Sequence, residues 1–395
     1  MVRAKLHRNV VALGLVSLFT DFSSEMIYPL LPVFLTVTLA AGPAVLGLIE
    51  GVAETTASLL KLFSGAWSDR TGRKKPLVLA GYGLSTLARP LVGIATGWGH
   101  VLAVRFCDRI GKGVRTSPRD ALVAAYVPAA QRGKAFGLQR SMDHLGAVLG
   151  PVAAFLLLAG GISLRSVFLL SIVPGLAAVA VLALLVRDVP AAGAPPHAGS
   201  MPGRDGVSPA FRRYLLLVGL FTLGNASDAF LILRAVDAGV PARYVPLLWG
   251  AFHAVKSSLS VPAGALSDRI PRKWVVAGGW CVYAACYASF SVARGAAATV
   301  AVFLVYGLYA AACEGAERAM VADFVPADRR GTAFGWFHLV TGICALPASV
   351  LFGLLWNAYG APVAFGVSAG LALLAAALLL LLRPEKYERI RYEPA

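Results

Sequence analysis

Long apolar runs, each about the length of a bilayer crossing, alternate along this chain with short polar turns. A helix rises 1.5 Å per residue, so roughly 20 apolar residues cross the hydrocarbon core. On that scale the pattern predicts about twelve spans: 10–38, 44–64, 76–97, 100–126, 134–159, 165–187, 213–236, 244–266, 274–294, 299–325, 333–357 and 361–382. Between the sixth and seventh, the chain turns to Pro, Gly and Ala, starting Asp188-Val-Pro-Ala-Ala-Gly-Ala-Pro-Pro-His197, which is a linker's composition. The expected layout is a block over 1–187, a linker over 188–211 and a second block over 212–395 that ends in a short tail.

Composition agrees with that class. Only 14% of the residues are charged, 58% are hydrophobic and the mean hydropathy is +0.71, whereas soluble domains carry about 25% charge. A net charge of +16 would suggest nucleic acid, but the Lys and Arg residues form short clusters between apolar runs. Lipid, not nucleic acid, is the partner that spacing implies. Arg3, Lys5, Arg8, Arg70–Lys75, Arg132, Lys134, Arg204, Arg212, Arg213, Arg269, Arg272, Lys273, Arg329, Arg330 and the tail bases fall on one side, and the alternate loops are nearly bare. Both termini are therefore expected to be cytoplasmic. No small-residue cleavage site follows the basic N-terminus, so the first span reads as retained. Cys107, Cys281, Cys286, Cys313 and Cys344 lie inside apolar runs with neither bridge nor zinc spacing, and the histidines are scattered. No metal, cofactor or nucleophile–base pair is indicated, which excludes the usual enzyme classes.

The chain also repeats itself. Gly65-Ala-Trp-Ser-Asp69-Arg70-Thr-Gly72-Arg73-Lys74 returns as Gly264-Ala-Leu-Ser-Asp268-Arg269-Ile-Pro271-Arg272-Lys273. Pro128…Arg132-Gly133-Lys-Ala-Phe136-Gly137 returns as Pro326…Arg330-Gly331-Thr-Ala-Phe334-Gly335, and Leu18-Phe19-Thr20…Ser24-Glu25 as Leu220-Phe221-Thr222…Ser227-Asp228. Two parallel six-helix repeats follow, and the fold class expected is an all-α membrane protein.

Gly-x-x-x-Asp-Arg-x-Gly-Arg-Lys between apolar spans resembles the loop between the second and third helices of the major facilitator superfamily, and the resemblance covers essentially the whole chain. It implies alternating access around a central site, a small-molecule substrate, no cofactor, a monomer and a place in the inner membrane of a prokaryote. Gly65 allows close helix approach and Gly72 a tight turn. Asp69, the resemblance implies, meets a helix N-terminus of the opposite half and locks the outward-facing state. In the second copy Pro271 replaces the turn glycine, which predicts a stiffer loop with a weaker role for Asp268, Arg269 and Arg272. The segment Arg105-Phe-Cys-Asp108-Arg109-Ile-Gly111-Lys112-Gly113-Val-Arg115 resembles the family's fourth helix, with Arg105 as its motif arginine and Arg109 in place of the first glycine. The family's acid seven residues before the Arg-Gly of helix 5 is Asp323 in the second half but Ala125 in the first, leaving Asp120 as the expected substitute partner for Arg73. Gly146-Ala-Val-Leu-Gly150-Pro151 matches part of the helix-5 hinge signature of proton-coupled exporters, although plain helix packing predicts the same residues.

Ionisable residues inside the spans are the remaining signal. Asp21 and Glu25 are four apart on one helix face, as are Glu50 and Glu54. Each costs about 2.5–3.5 kcal/mol at the centre of the bilayer, so it needs a partner or a wet cavity. Candidate partners are Arg89, Arg109, Lys112, and Arg140 with Asp143, and the second half offers the thinner set Asp228, Lys256 and Glu314. Two readings stay open. Either one of the carboxylates carries a coupling proton, or all are permanently paired and organise the bundle. The excess of base points to an anionic or amphiphilic substrate. The reading that results is proton-coupled export, with proton-symport uptake of an anionic metabolite as the alternative.

Overall fold

The computed structural model describes residues 6–31, 34–39, 43–188, 208–241 and 244–382. The expected linker lies almost wholly outside these residues, as does the tail. Within them all regular structure is helical. The first half holds α1 (Arg8–Glu25), α2 (Pro43–Thr71), α3 (Lys75–Ala88), α4 (Trp98–Ala125), α5 (Arg132–Ala159), α6 (Leu164–Leu170) and α7 (Ile172–Leu185). The second half holds α8 (Pro209–Gly224), α9 (Ala229–Asp237), α10 (Val245–Arg269), α11 (Arg272–Val292), α12 (Ala296–Phe324), α13 (Arg330–Tyr359) and α14 (Ala361–Leu381).

Several expected spans are broken, each at an identifiable residue. The third is helical to Ala88 and then tightens into a 3-10 segment, Arg89–Ile94, where Pro90 has no N–H to donate. The sixth divides at Ser171, three residues ahead of Pro174, and the Ser171 hydroxyl donates back to the Phe168 carbonyl. The first ends its α-helix at Glu25, shortly before Pro29. The seventh ends at Gly224 and resumes at Ala229, so Asn225–Asp228 form a non-helical break. Glu25 and its repeat mate Asp228 thus both stand where the first helix of a repeat stops.

Seven helical stretches among the described residues are long and apolar enough to cross a membrane: Lys75–Ile94, Ala129–Ala159, Leu164–Leu185, Arg272–Val292, Ala296–Phe324, Ala327–Tyr359 and Ala361–Leu381. α4 falls short because of its charges, not its length: Arg105, Asp108, Arg109, Lys112, Arg115, Arg119 and Asp120 interrupt its 28 residues.

The chain divides into two compact units. One comprises Met1–Val127, Met142–Gly203 and Ala327–His338, the other Pro128–Ser141, Arg204–Pro326 and Leu339–Ala395. Neither is a continuous half of the sequence. The first turns of α13 belong to the first unit and those of α5 to the second.

In the first unit α4 packs on α2 and α3, and α7 on α1 and α3. Small residues set the spacing. The Ser64 hydroxyl donates to the Gly113 carbonyl (2.8 Å), the Ser117 hydroxyl donates to the Lys61 carbonyl (2.7 Å), and a Cβ on Gly113 would press into Leu60. In the second unit the same arrangement recurs. α12 packs on α10 and α11, and α14 on α8 and α11. An aromatic core fills that unit, with Phe221 stacked on Trp280 at 4.5 Å and Tyr283 on Tyr287 at 4.1 Å.

Candidate functional site

Three polar constellations carry the chemistry: a carboxylate latch in each unit, an ionic array along α4, and a cavity in the second unit.

The repeat builds the latch twice. Asp69, in the last turn of α2, accepts hydrogen bonds from the backbone N–H groups of Gly331 (3.0 Å) and Thr332 (2.6 Å) at the start of α13. Those N–H groups have no partner within their own helix, and the helix dipole adds to their pull on an anion. Asp268, in the last turn of α10, accepts from Gly133 and Lys134 at the start of α5, both at 2.8 Å. Glycine is required at the contact. A Cβ on Gly65 would overlap the Gly331 carbonyl, and one on Gly264 would overlap that of Gly133. Gly72 turns the first loop with φ of +64°. Arg70, Arg73 and Arg269 stand exposed.

The surroundings of the two latches differ. Arg272 is buried, donating from Nε to Asp323 (2.7 Å) and from Nη2 to Asp268 (3.0 Å) and to the Ala129 carbonyl. Arg132 pairs with the other Asp323 oxygen and donates to the Ala322 carbonyl. The second loop, expected to be the weaker copy, therefore has the denser network. In the first unit Arg330, the mate of Arg132, donates to the Ala124 carbonyl (3.3 Å). Asp120 does not take Arg73 as its partner. Its buried carboxylate binds Arg119 (2.9 Å) and His338 (2.9 Å) instead. His338 lies 218 residues away in sequence.

The ionic array belongs to the first unit. Arg89 donates from Nε to Asp108 (2.7 Å) and from Nη1 to the Thr20 carbonyl (3.0 Å), and all but a few per cent of both side chains is covered. Arg105 stands 3.9 Å from the other Asp108 oxygen. Glu54 is held more loosely, 3.6 Å from Lys61 and 3.9 Å from Arg109, with half of its side chain exposed. Lys112 is within electrostatic reach of Glu54 and Glu25. Arg115 donates to the Ser85 hydroxyl (2.6 Å) and lies over the Tyr82 ring at 4.4 Å. Asp21 and Glu25 are half-buried on α1, where α5 approaches closely. A Cβ on Gly146 would come within 3.0 Å of the Asp21 Cβ, and one on Gly150 within 2.8 Å of the Glu25 Cβ. Pro151 sits inside α5 without ending it. Asp143 is buried near Arg119, and Arg140 belongs to the second unit. The side chain of Glu50 lies outside the described residues.

The cavity, about 400 Å³, lies wholly in the second unit and brings together Asp228, Lys256 and Glu314. Lys256 Nζ is 2.9 Å from Glu314 and 5.0 Å from the Phe252 ring centre. The Tyr306 hydroxyl donates to Asp228 (2.9 Å), and the Asn225 amide donates to the Tyr309 hydroxyl (3.1 Å). Sequence reasoning missed Asn225, Tyr306 and the buried pair in which Trp280 donates to Glu317 (2.9 Å). The helix break at Asn225–Asp228, visible only in the structure, brings Asn225 to the cavity wall, as irregular backbone at membrane depth is tolerated where it lines a cavity.

Comparison with known proteins adds the following. The Major Facilitator Superfamily profile matches residues 13–255 and 215–394. An uncharacterized MFS-type transporter of Methanocaldococcus jannaschii is 33% identical over 364 residues, 89% of each chain. Multidrug resistance protein MdtG of Escherichia coli is 28% identical over 42% of this chain and 40% of its own. The crystal structure of the human organic anion transporter MFSD10 aligns with a TM-score of 0.79 over 94% of this chain and 99% of that one, and at 18% identity the likeness is one of fold.

Proposed function

Because this chain belongs to the major facilitator superfamily, we propose that it is a secondary transporter working by alternating access, exchanging protons for a small amphiphilic ion that it expels through a prokaryotic inner membrane. Two repeats of six spans, with both termini in the cytoplasm, are the layout this mechanism needs. The observation that carries the reading is the duplicated latch. A carboxylate on a helix N-terminus contributes about 0.3–2 kcal/mol. That is enough to bias a two-state equilibrium and too little to freeze it. Asp69 and Asp268 each make such a contact, which supports the reading.

Proton coupling falls to Glu54 in this reading. Asp108 is already matched by Arg89 at 2.7 Å in a covered site, where losing its charge would strand a guanidinium. Glu54 is half exposed, its ion-pair contacts Lys61 and Arg109 stand 3.6 and 3.9 Å away and Lys112 lies within electrostatic reach, so a proton reaches it and the local structure survives its neutralisation. Export is supported by the Gly146…Gly150-Pro151 segment and by the resistance function in the name of MdtG.

Proteoliposomes with an acidic lumen and a pH dye inside test this. A transported ion added outside drives protons out and alkalinises the lumen, whereas symport would acidify it. Glu54→Gln protein is expected to reconstitute but to give no substrate-dependent signal. Normal proton movement in that variant would remove Glu54 from the mechanism. No response to any member of a panel of organic cations and anions would remove the transporter reading.

A further inference from the structure

We infer that the cavity of the second unit binds an organic cation, an ammonium group on an apolar body, seated between the Asp228 carboxylate and the rings of Phe252, Tyr306 and Tyr309. The transport of that ion rests on the function proposed above; its binding does not.

The charges that line the cavity are two acids and one base. Lys256 and Glu314 neutralise each other at 2.9 Å, and the lysine also lies over the Phe252 face at 5.0 Å. Lys256 is also within electrostatic reach of Asp228, so two acids share one base and the lining keeps an excess of negative charge. Tyr306 engages one Asp228 oxygen at 2.9 Å, and the carboxylate makes no capping bond to α9, the helix it precedes. It is therefore oriented by a hydroxyl and still able to accept from a ligand. Ring faces carry negative potential, and the Phe252 face already holds the Lys256 ammonium; Tyr306 and Tyr309 extend the same aromatic wall. An anion would have to compete with the carboxylates of Asp228 and Glu314 for the one lysine, whereas a cation meets the excess of acid. The volume of about 400 Å³ suits a compact aryl-alkyl ammonium.

The bases that point to an anion in the sequence lie mostly in the first unit, outside this cavity. Arg89 and Arg105 face Asp108, and Arg109 and Lys61 face Glu54. The substrate class is thus better read from the cavity than from the net charge of the chain.

The test is calorimetric titration of the purified full chain in lipid nanodiscs with benzyltrimethylammonium, and in parallel with benzylsulfonate, an anion of similar shape. The cation is expected to bind and the anion not to. Asp228→Asn should weaken the cation by about tenfold or more, the loss of one charge-assisted contact, and Tyr306→Phe by a smaller factor. Lys256→Gln removes a positive charge from the cavity and should strengthen cation binding, a gain that mere structural damage would not produce. Equal or tighter binding of benzylsulfonate would overturn the proposal, as would an Asp228→Asn protein with unchanged cation affinity and an unchanged melting temperature. Failure of the folded wild-type chain to bind the cation would do the same. A cation that binds but is never moved in the liposome assay would instead overturn the transport reading alone.

Discussion

The two latches are the same backbone device under different reinforcement. Each seats an aspartate on two N–H groups of a later helix, and each relies on a glycine pair for close approach. Around Asp268 a buried guanidinium ties the carboxylate to Asp323, which in turn holds Arg132. Around Asp69 the arginine of the equivalent turn, Arg73, stands exposed, and the position of Asp323 is taken by Ala125. The two contacts are alike in backbone geometry and differ in the side chains that surround them. Under the proposed mechanism the Asp268 latch is expected to be the stiffer joint and the Asp69 latch the switch.

The largest expected effect tests the reinforcement. Asp323→Ala takes one carboxylate away from two arginines, Arg272 at 2.7 Å and Arg132 on the other oxygen. Breaking a buried pair from one side costs about 3–5 kcal/mol, so the melting temperature in detergent should fall clearly. An unchanged melting temperature would mean that the network is ornamental and the two latches are equivalent after all.

Next comes a symmetric perturbation. Gly65→Ala and Gly264→Ala should each cost about 1–3 kcal/mol through overpacking against a carbonyl, and by similar amounts, because the geometry at the two glycines is nearly the same. Comparable losses in thermal stability would localise the difference between the latches to their charges. Unequal losses would put it in the backbone.

Smaller still is removal of the latch charges. Asp69→Asn keeps the side-chain shape and weakens an interaction of about 0.3–2 kcal/mol. Ser68 and Ser267 are both fully buried beside the latches and serve as matched reporters when changed to cysteine. Maleimide labelling of Ser68→Cys should rise up to about tenfold with Asp69→Asn, since 1.4 kcal/mol is a factor of ten. Ser267→Cys should respond less to Asp268→Asn, because Arg272 remains anchored by Asp323 and the Ala129 carbonyl. The reverse order would assign the switch to the second latch.

These differences were legible in the sequence only in part. The apolar runs located the helices because burial in lipid demands long apolar segments, and the charged α4 was found by its flanking runs despite its seven ionisable residues. The breaks at Asn225–Asp228 and Ser171 were missed, since an apolar window carries no record of where the helical hydrogen bonds stop. That Ala125 and Asp323 differ could be read from the repeat. The pairing of Asp120 with His338 could not, because it joins residues 218 apart that no spacing rule connects. The cavity was legible in part: Asp228, Lys256 and Glu314 were named from the sequence, but not that Asn225 and Tyr306 join them. Its aromatic residues look like ordinary packing until Tyr306 is seen to donate to Asp228.

The smallest effect is the most informative, because it adds a function instead of removing one. If Asp323 is what stiffens the second latch, an acid at its repeat mate should stiffen the first. Ala125 ends α4 and is half exposed, so Ala125→Asp has room to adopt an ordinary rotamer. Arg330 already reaches the carbonyl of the adjacent residue Ala124, as Arg132 reaches that of Ala322 next to Asp323. The new carboxylate would lie beside Arg330, at the partly solvated end of a helix, where ion pairs contribute about 0.2–1 kcal/mol. A gain of that size should slow maleimide labelling of Ser68→Cys a few-fold and lower turnover in liposomes while leaving Ser267→Cys unaffected. Because substitutions that damage packing loosen a structure, a selective slowing at the first latch has no trivial cause. Faster labelling would mean that Asp120, already held by Arg119 and His338, repels the added charge, and that the first half evolved a separate way of neutralising its basic end.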